Sequence, residues 1–281
     1  MDDGADVIGM AGGDGSQALV ATVAAERGVP MVVVPAGTRN HLALDLGLER
    51  DDVVGALDAF GEAMERSMDL AEVNGRIFVN NVSLGVYAAT VRSPEYRDAK
   101  VDTTLSSLPK MLGPSAEPFA LRYTGPHGEH HDTAHVIQIS NNPYGKTIDA
   151  LGSRPRLDTK RLGLLALEIG DDRAAAAFLS SIAAGHPERF AGFMSWTAET
   201  LEVRSDAPID MGLDGESLSM DSPLTFSIRT EPLRVRLPTH AIGLSPAGRW
   251  PGWRSAARGI WRTARGEPLS TVQEDSRAGA G

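Results

Sequence analysis

The sequence predicts an α/β domain followed by a mainly antiparallel, β-rich domain, and three observations predict it. Two apolar runs near the start, Val7–Ala11 and Met31–Val34, each stop at a glycine-containing turn, with helical spacing between them. From about Ser67 the pattern becomes alternating runs separated by turn signals. Only two helical stretches, near Asp102–Leu112 and Asp171–Ala184, interrupt those strands. Alternating strands and helices followed by strands in succession mark an α/β unit joined to a β-rich one. The expected boundaries are 1–66 for the first domain, 67–238 for the second and 239–281 for a C-terminal segment.

Each element has a local reason. Gln17 to Arg27 carries Leu19, Val20, Val23 and Ala24 at helical spacing, and Gly28 ends it as a C′ glycine. Met31-Val32-Val33-Val34 is β-branched, unbroken and closed by Pro35, as suits a parallel strand covered on both faces. Asp51 to Glu65 reads as a helix begun by an acidic pair. Met68 to Val73 alternates, Asn74-Gly75 is a strong hairpin signal, and Arg76 to Val79 returns. Further strands are expected at Phe119–Tyr123, Ala134–Ser140, Leu162–Ile169, Glu199–Arg204, Leu224–Ile228 and Leu233–Leu237.

Composition excludes several classes. The 281 residues contain no cysteine, which removes disulfides, thiolate metal sites and cysteine catalysis. No apolar run approaches the roughly 20 residues of a membrane-spanning helix. The acidic start, Met1-Asp2-Asp3-Gly4, lacks the basic and apolar regions of a secretory signal, so a cytoplasmic location is expected. A net charge of −10 speaks against nucleic acid as a partner, because phosphate contacts need clustered Lys and Arg.

Chemistry concentrates in three places. Gly12-Gly13-Asp14-Gly15-Ser16 lies between an apolar strand and a helix. Glycines there let the backbone approach a pyrophosphate, and the N–H groups of the helix start face an anion. Ser16 can cap the helix or contact phosphate, and Asp14 offers a carboxylate to Mg²⁺ or an acceptor hydroxyl. The plainer reading of the segment is a glycine turn with a capping Asp. The second place, Pro35-Ala36-Gly37-Thr38-Arg39-Asn40, again links a strand to a helix. Its Thr38 hydroxyl, Arg39 cation and Asn40 amide suit phosphate, although a simple Pro-Gly turn would contain the same residues. Two such loops at adjacent strand ends form the crevice where open α/β sheets bind ligands. The third place is Leu213-Asp214-Gly215-Glu216, either a solvated hairpin turn or a carboxylate pair with one general base.

Taken in order, GGDGS, PAGTRN, MDLAEVNGRIFVNNVSLG and LDGE before LRVRLP resemble the diacylglycerol kinase catalytic family, in particular its bacterial lipid kinases and their sphingosine kinase relatives. The resemblance runs from about Ala5 to Pro238. It implies a nucleotide-binding α/β domain, apparently truncated at its N-terminus, followed by a β-sandwich with the lipid cleft between them. It implies an ATP- and Mg²⁺-dependent kinase that phosphorylates a lipid hydroxyl, with diacylglycerol as the default acceptor. By resemblance Gly12, Gly13, Asp14, Gly15 and Ser16 hold ATP phosphates and Mg²⁺, with Gly37, Thr38 and Asn40 beside them. Asp69 matches an acidic position linked to the metal. Glu216 matches the proton acceptor, and Asp214 is its neighbour. Gly-Gly-Asp-Gly turns also occur in NAD kinases and phosphofructokinases, which act on soluble substrates, and a non-catalytic lipid- or nucleotide-binding relative is a third reading.

The chain departs from the family pattern at three points. Family members usually carry Asp where this chain has His41, so either metal binding or substrate choice is expected to differ, or the nearby carboxylate Asp45 compensates in part. A second metal-associated loop, Asp-Asp-Gly in relatives, corresponds here to Leu157-Asp158-Thr159-Lys160-Arg161-Leu162, so no structural Mg²⁺ is expected there. Relatives also begin with further βα units, and a start upstream of Met1 is expected.

Two weaker signals remain. His127, His130, His131 and His135 surround a Gly-Pro turn without the spacing of a metal set, and read as a solvated hairpin. Trp253, Ala257, Ile260, Trp261 and Ala264 fall on one helical face beside Arg254, Arg258, Arg262 and Arg265. That face can dock on the first domain or meet an anionic membrane at its inner face.

Overall fold

The computed structural model describes residues 4–85, 118–145, 153–184 and 186–245. The chain divides into a compact unit, Met1–Gly248, and a second, Arg249–Gly281. All described residues belong to the first. The helix expected at Asp102–Leu112 and the Trp/Arg helix of the C-terminal segment lie outside them.

The chain opens with strand β1 (Ile8–Gly12), helix α1 (Asp14–Arg27) and strand β2 (Met31–Pro35). β1 and β2 pair in parallel, from Ile8 opposite Met31 to Gly12 opposite Pro35, so both strands end level and their following loops meet. Gly28 closes α1 at φ 64°, a left-handed conformation that glycine adopts without steric cost. α2 (His41–Asp45) is a single turn, and α3 (Val53–Ala56) runs into a 3₁₀ turn at Leu57–Phe60.

The helix expected from Asp51 to Glu65 is therefore mostly absent. Asp52 caps α3 by accepting the Gly55 N–H, but the backbone leaves helical space at Gly61 and strand β3 (Ala63–Val73) begins. Pairing of β3 with strand β14 (Leu224–Pro238), from Ala63 opposite Pro238, overrides the helical preference of Glu-Ala-Met-Glu. The two strands expected at Leu224–Ile228 and Leu233–Leu237 are this one strand, with a bulge between Arg229 and Leu233. After β3 the chain turns through Asn74 (φ 47°) and Gly75 (φ 83°) into β4 (Arg76–Phe78).

β14 joins the two parts of the molecule. Its C-terminal half lies parallel to β2, and its N-terminal half pairs with β11 (Thr200–Val203), giving a six-stranded mixed sheet in the order β1-β2-β14-β3-β4 with β11 alongside β14. A second six-stranded sheet is wholly antiparallel. It contains β5 (Asn81–Gly85), β8 (Val136–Asn141), β9 (Leu162–Leu167), β10 (Phe193–Ala198), β12 (Ile209–Leu213) and β13 (Glu216–Met220), ordered β10-β9-β8-β5-β12-β13. A small hairpin of β6 (Tyr123–Thr124) and β7 (His130–His131) and helix α4 (Asp172–Ala183) complete the described elements. An α/β portion followed by antiparallel sheets is the fold class the sequence predicts. β10, an edge strand with half-buried alternation, escaped sequence reading because Ser195 and Thr197 dilute its pattern.

Two apolar cores share β3 and β14. One packs Val73, Phe78, Leu84, Ile137, Leu164, Met211 and Phe226 between the sheets. The other packs Ala21 and Ala24 of α1 and Leu42 of α2 against Met31, Leu70 and Val235. Burying the same two strands in both cores makes the α/β portion and the sandwich mechanically continuous.

Candidate active site

The site begins where β1 and β2 end. A Cβ placed on Gly37 would lie 2.3 Å from the Gly13 Cα and 2.8 Å from its nitrogen, so the two loops touch backbone to backbone and only glycine fits. Gln17, buried one turn into α1, locks this pair from below. Its amide nitrogen donates to the carbonyls of Met10 (2.8 Å), Gly12 (3.2 Å) and Val34 (3.1 Å), one clamp across both strand ends. Sequence reading missed Gln17, whose contacts span seventeen residues and leave no local pattern.

Asn40 faces inward. At φ 49° its side chain accepts the Gly37 N–H (2.9 Å) and donates to the Gly37 carbonyl (2.8 Å) and the Arg50 carbonyl (3.1 Å). Its amide thus shapes the second loop from within. Thr38, by contrast, is exposed at the rim.

Asp14 begins α1 and reaches the start of α2. Its two carboxylate oxygens accept the N–H groups of His41 (3.1 Å) and Leu42 (3.0 Å). Asn40 does not cap α2 with its side chain, so Asp14 supplies the acceptor from the other loop. Burial holds the His41 imidazole below its ordinary value, against the pull of Asp14, and keeps it neutral near pH 7. Asp45 does not compensate for the missing acid at His41. Its carboxylate is buried and bound to Arg154, accepting the main-chain N–H at 2.9 Å and Nε at 2.7 Å.

The third predicted element arrives from the far end of the chain. Asp214 (φ 47°) and Gly215 (φ 88°) form the tight turn between β12 and β13. Asp214 points inward, and its carboxylate accepts the N–H groups of Val79 (2.8 Å), Asn80 (2.8 Å) and Asn81 (3.1 Å). Burial pushes its carboxyl up to about 7 against the opposing pull of these donors. Glu216 points the other way. A Cβ on Gly15 would lie 2.8 Å from its Oε1, so the Glu216 side chain rests on the glycine at the start of α1. Its second oxygen lies 3.7 Å from Arg76 of β4. The two carboxylates of this turn thus have separate places, Asp214 as a buried anchor and Glu216 as an exposed group at the start of α1.

Asp69 belongs to a different network. It is fully buried, its carboxylate accepts the Lys160 N–H at 2.8 Å, and its own N–H donates to the Leu157 carbonyl. It thereby holds the 157–160 loop. Among the described residues no group of three or more His, Asp or Glu side chains is placed to hold a metal. The histidines near 130 are likewise dispersed: His130 and His131 lie on the β6–β7 hairpin, while His135 is buried and accepts the Ile169 N–H.

The site therefore assembles two glycine loops with helix-start N–H groups, the acidic Asp14 and the exposed carboxylate Glu216. Residues 1–73 match the model of the diacylglycerol kinase catalytic domain. A Bacillus subtilis protein named diacylglycerol kinase is 34% identical over 77 residues, 27% of this chain. The chain spans only 25% of that relative's length. A Pseudomonas aeruginosa protein named "Probable lipid kinase YegS-like" is 27% identical over 81% of this chain and 75% of its own. Two crystal structures of diacylglycerol-kinase-type proteins from Bacillus anthracis share the fold. One has a TM-score of 0.64 at 20% identity, covering 84% of this chain and 78% of that one. The other has a TM-score of 0.57 at 17% identity over the same shares.

Proposed function

We propose that the chain, whose residues 1–73 match the diacylglycerol kinase catalytic domain, is an ATP-dependent kinase that transfers the γ-phosphate to a lipid hydroxyl, with diacylglycerol as the acceptor. The observation that carries the proposal is Glu216 resting on Gly15: a carboxylate free to take a proton stands beside the loop that suits a nucleotide phosphate. In this reading the N–H groups at the start of α1 and the exposed Thr38 hydroxyl bind phosphate oxygens. Glu216 accepts the proton of the attacking hydroxyl, and Arg76 orients that carboxylate. Phosphoryl transfer asks a protein mainly for positioning and charge neutralisation, which this inventory supplies.

Mg²⁺ fits the site as an ion carried by the nucleotide. Asp14 is the one carboxylate on the phosphate loop, and Mg²⁺ is ordinarily held by one or two carboxylates together with substrate phosphates and water. When bound, it would neutralise charge on the phosphate oxygens.

The test uses the full chain, γ-labelled ATP and diacylglycerol in mixed micelles, with phase partition of the product. Label in the organic phase is expected from the wild type. Glu216→Gln should lower kcat by about 10²- to 10⁴-fold while leaving nucleotide affinity unchanged. Label appearing only on a water-soluble acceptor, or full activity in the variant, would overturn the proposal. No helix among the described residues is long and apolar enough to cross a membrane. Trp253, Arg254, Arg258, Trp261 and Arg262 are proposed as a foothold on anionic lipid.

A further inference from the structure

A ring of contacts, polar from Asp14 to Asp214 and closed by the exposed Glu216 side chain against Gly15, connects the Asp14 loop to Glu216. It starts at Asp14, whose carboxylate holds the N-terminus of α2 through the His41 and Leu42 N–H groups. One helical turn later Asp45 holds Arg154, at 2.7 Å from Nε and 2.9 Å from the main-chain nitrogen. Arg154 is fully buried, and its remaining donors cross to the sandwich. Nη1 donates to the carbonyls of Val79 (2.5 Å) and Asn141 (2.8 Å), and Nη2 donates to Asn80 Oδ1 (2.8 Å). The 79–81 segment then gives its three N–H groups to Asp214. Two residues further, Glu216 lies against Gly15, next to Asp14, and the ring closes.

We infer that Arg154 is a positioning residue that sets the placement of Glu216 against the phosphate loop by tying α2 to the 79–81 turn. Three observations support it. A buried ion pair adds little stability compared with apolar side chains of similar volume, because desolvation offsets its attraction. A role in geometry accounts for its presence better. Second, the guanidinium serves acceptors from three separate segments at once: Asp45 on α2, Val79 and Asn80 after β4, and Asn141 at the end of β8. A planar fork fixes their mutual orientation, which a lysine ammonium on a flexible stem cannot do. Third, the 79–81 segment is held from both sides, its Val79 carbonyl and Asn80 side-chain oxygen by Arg154 and its N–H groups by Asp214. Movement of the segment therefore carries Asp214, and with it Glu216. The inference rests on the proposed role of Glu216 as the proton acceptor.

The experiment compares Arg154→Lys with the double variant Asp45→Leu/Arg154→Met, which removes both charges and keeps volume. In each, thermal unfolding, affinity for ATP with Mg²⁺, kcat on diacylglycerol micelles and amide exchange are measured. Both variants are expected to bind nucleotide within about threefold of wild type and to lose about 10- to 100-fold in kcat, the scale on which small displacements of a catalytic group act. Amides of Asn80 and Asn81 should exchange faster while those of α1 keep their protection. A folded variant with wild-type kcat would overturn the inference. So would failure of both variants to fold, which would make Arg154 a stability residue alone. If the wild type transfers no phosphate to lipid, the proposed function fails first. Amide exchange then decides this inference separately, and unchanged protection at Asn80 and Asn81 overturns it.

Discussion

The proposed nucleotide side and the proposed acceptor side of the site are built by opposite means. On the nucleotide side, two loops separated by about one helix follow adjacent parallel strands, and their contact is made by missing side chains, Gly13 against Gly37. On the acceptor side, Glu216 is delivered by contacts between residues far apart in the chain. Asp214 binds an N–H 135 residues away, and Arg154 binds a carboxylate 109 residues away. Steric permission and short-range topology make the first side, whereas buried polar complementarity makes the second. Perturbing one should damage nucleotide binding and perturbing the other should damage turnover.

Gly37→Ala should break the nucleotide side most severely. The added methyl would meet backbone 2.3 Å away, which no rotamer can relieve, so one strand end must move. A separation costing about 3 kcal/mol corresponds to roughly 100-fold weaker ATP binding, measurable by isothermal titration. If Gly37→Ala bound ATP normally and lost only kcat, the division between the two sides would be wrong.

Gln17→Leu should be next. It keeps the shape of the buried side chain but leaves the Met10, Gly12 and Val34 carbonyls without their shared donor. Removing a donor from these carbonyls, of which Val34 keeps the Ala36 N–H, costs about 1 kcal/mol, read as a drop in unfolding free energy in urea. The loss should fall on stability and ATP affinity together, because Gln17 locks both strand ends. A change in kcat alone would place Gln17 on the acceptor side.

The same contrast explains what could be read from the sequence. Gly12 to Ser16 and Gly37 were legible because a strand, a glycine turn and a helix are neighbours in the chain, and the purpose of the glycines is local. The Asp214-Gly215 turn was legible for the same reason. Its carboxylate was not, since a hairpin Asp facing solvent and one facing three N–H groups are spelled alike. Arg154, the one cation among the fully buried side chains of the described residues, gave no signal at all. It stands in a polar Ser-Arg-Pro-Arg stretch whose composition suggests surface, and only the approach of α2 and the 79–81 turn buries it. Asp69 shows the converse. A resemblance drew attention to the residue, and its position in the fold assigns it to the 157–160 loop. The helix expected over Asp51–Glu65 failed where pairing with β14, more than 160 residues on, outweighed local preference.

A further expected effect tests what keeps Asp214 in place. An unfolded aspartate titrates near 3.9, whereas burial pushes Asp214 up to about 7 in the folded chain. Between these values the folded state holds a proton that the unfolded state lacks. Stability from this group is therefore complete below about pH 4 and is lost as pH rises through about 7. Asp214→Asn cannot titrate. One amide oxygen also replaces two acceptors, so the variant loses one or two of three bonds, about 1 kcal/mol each. Urea unfolding across that pH range should show the wild type's advantage over Asp214→Asn shrinking as pH rises. An advantage that grew with pH would mean that the three N–H donors of Val79, Asn80 and Asn81 outweigh burial and hold the carboxylate ionised. The acceptor side would then be held by a charge rather than by a shared proton. Its grip on Glu216 would strengthen towards alkaline pH, and kcat would rise with it.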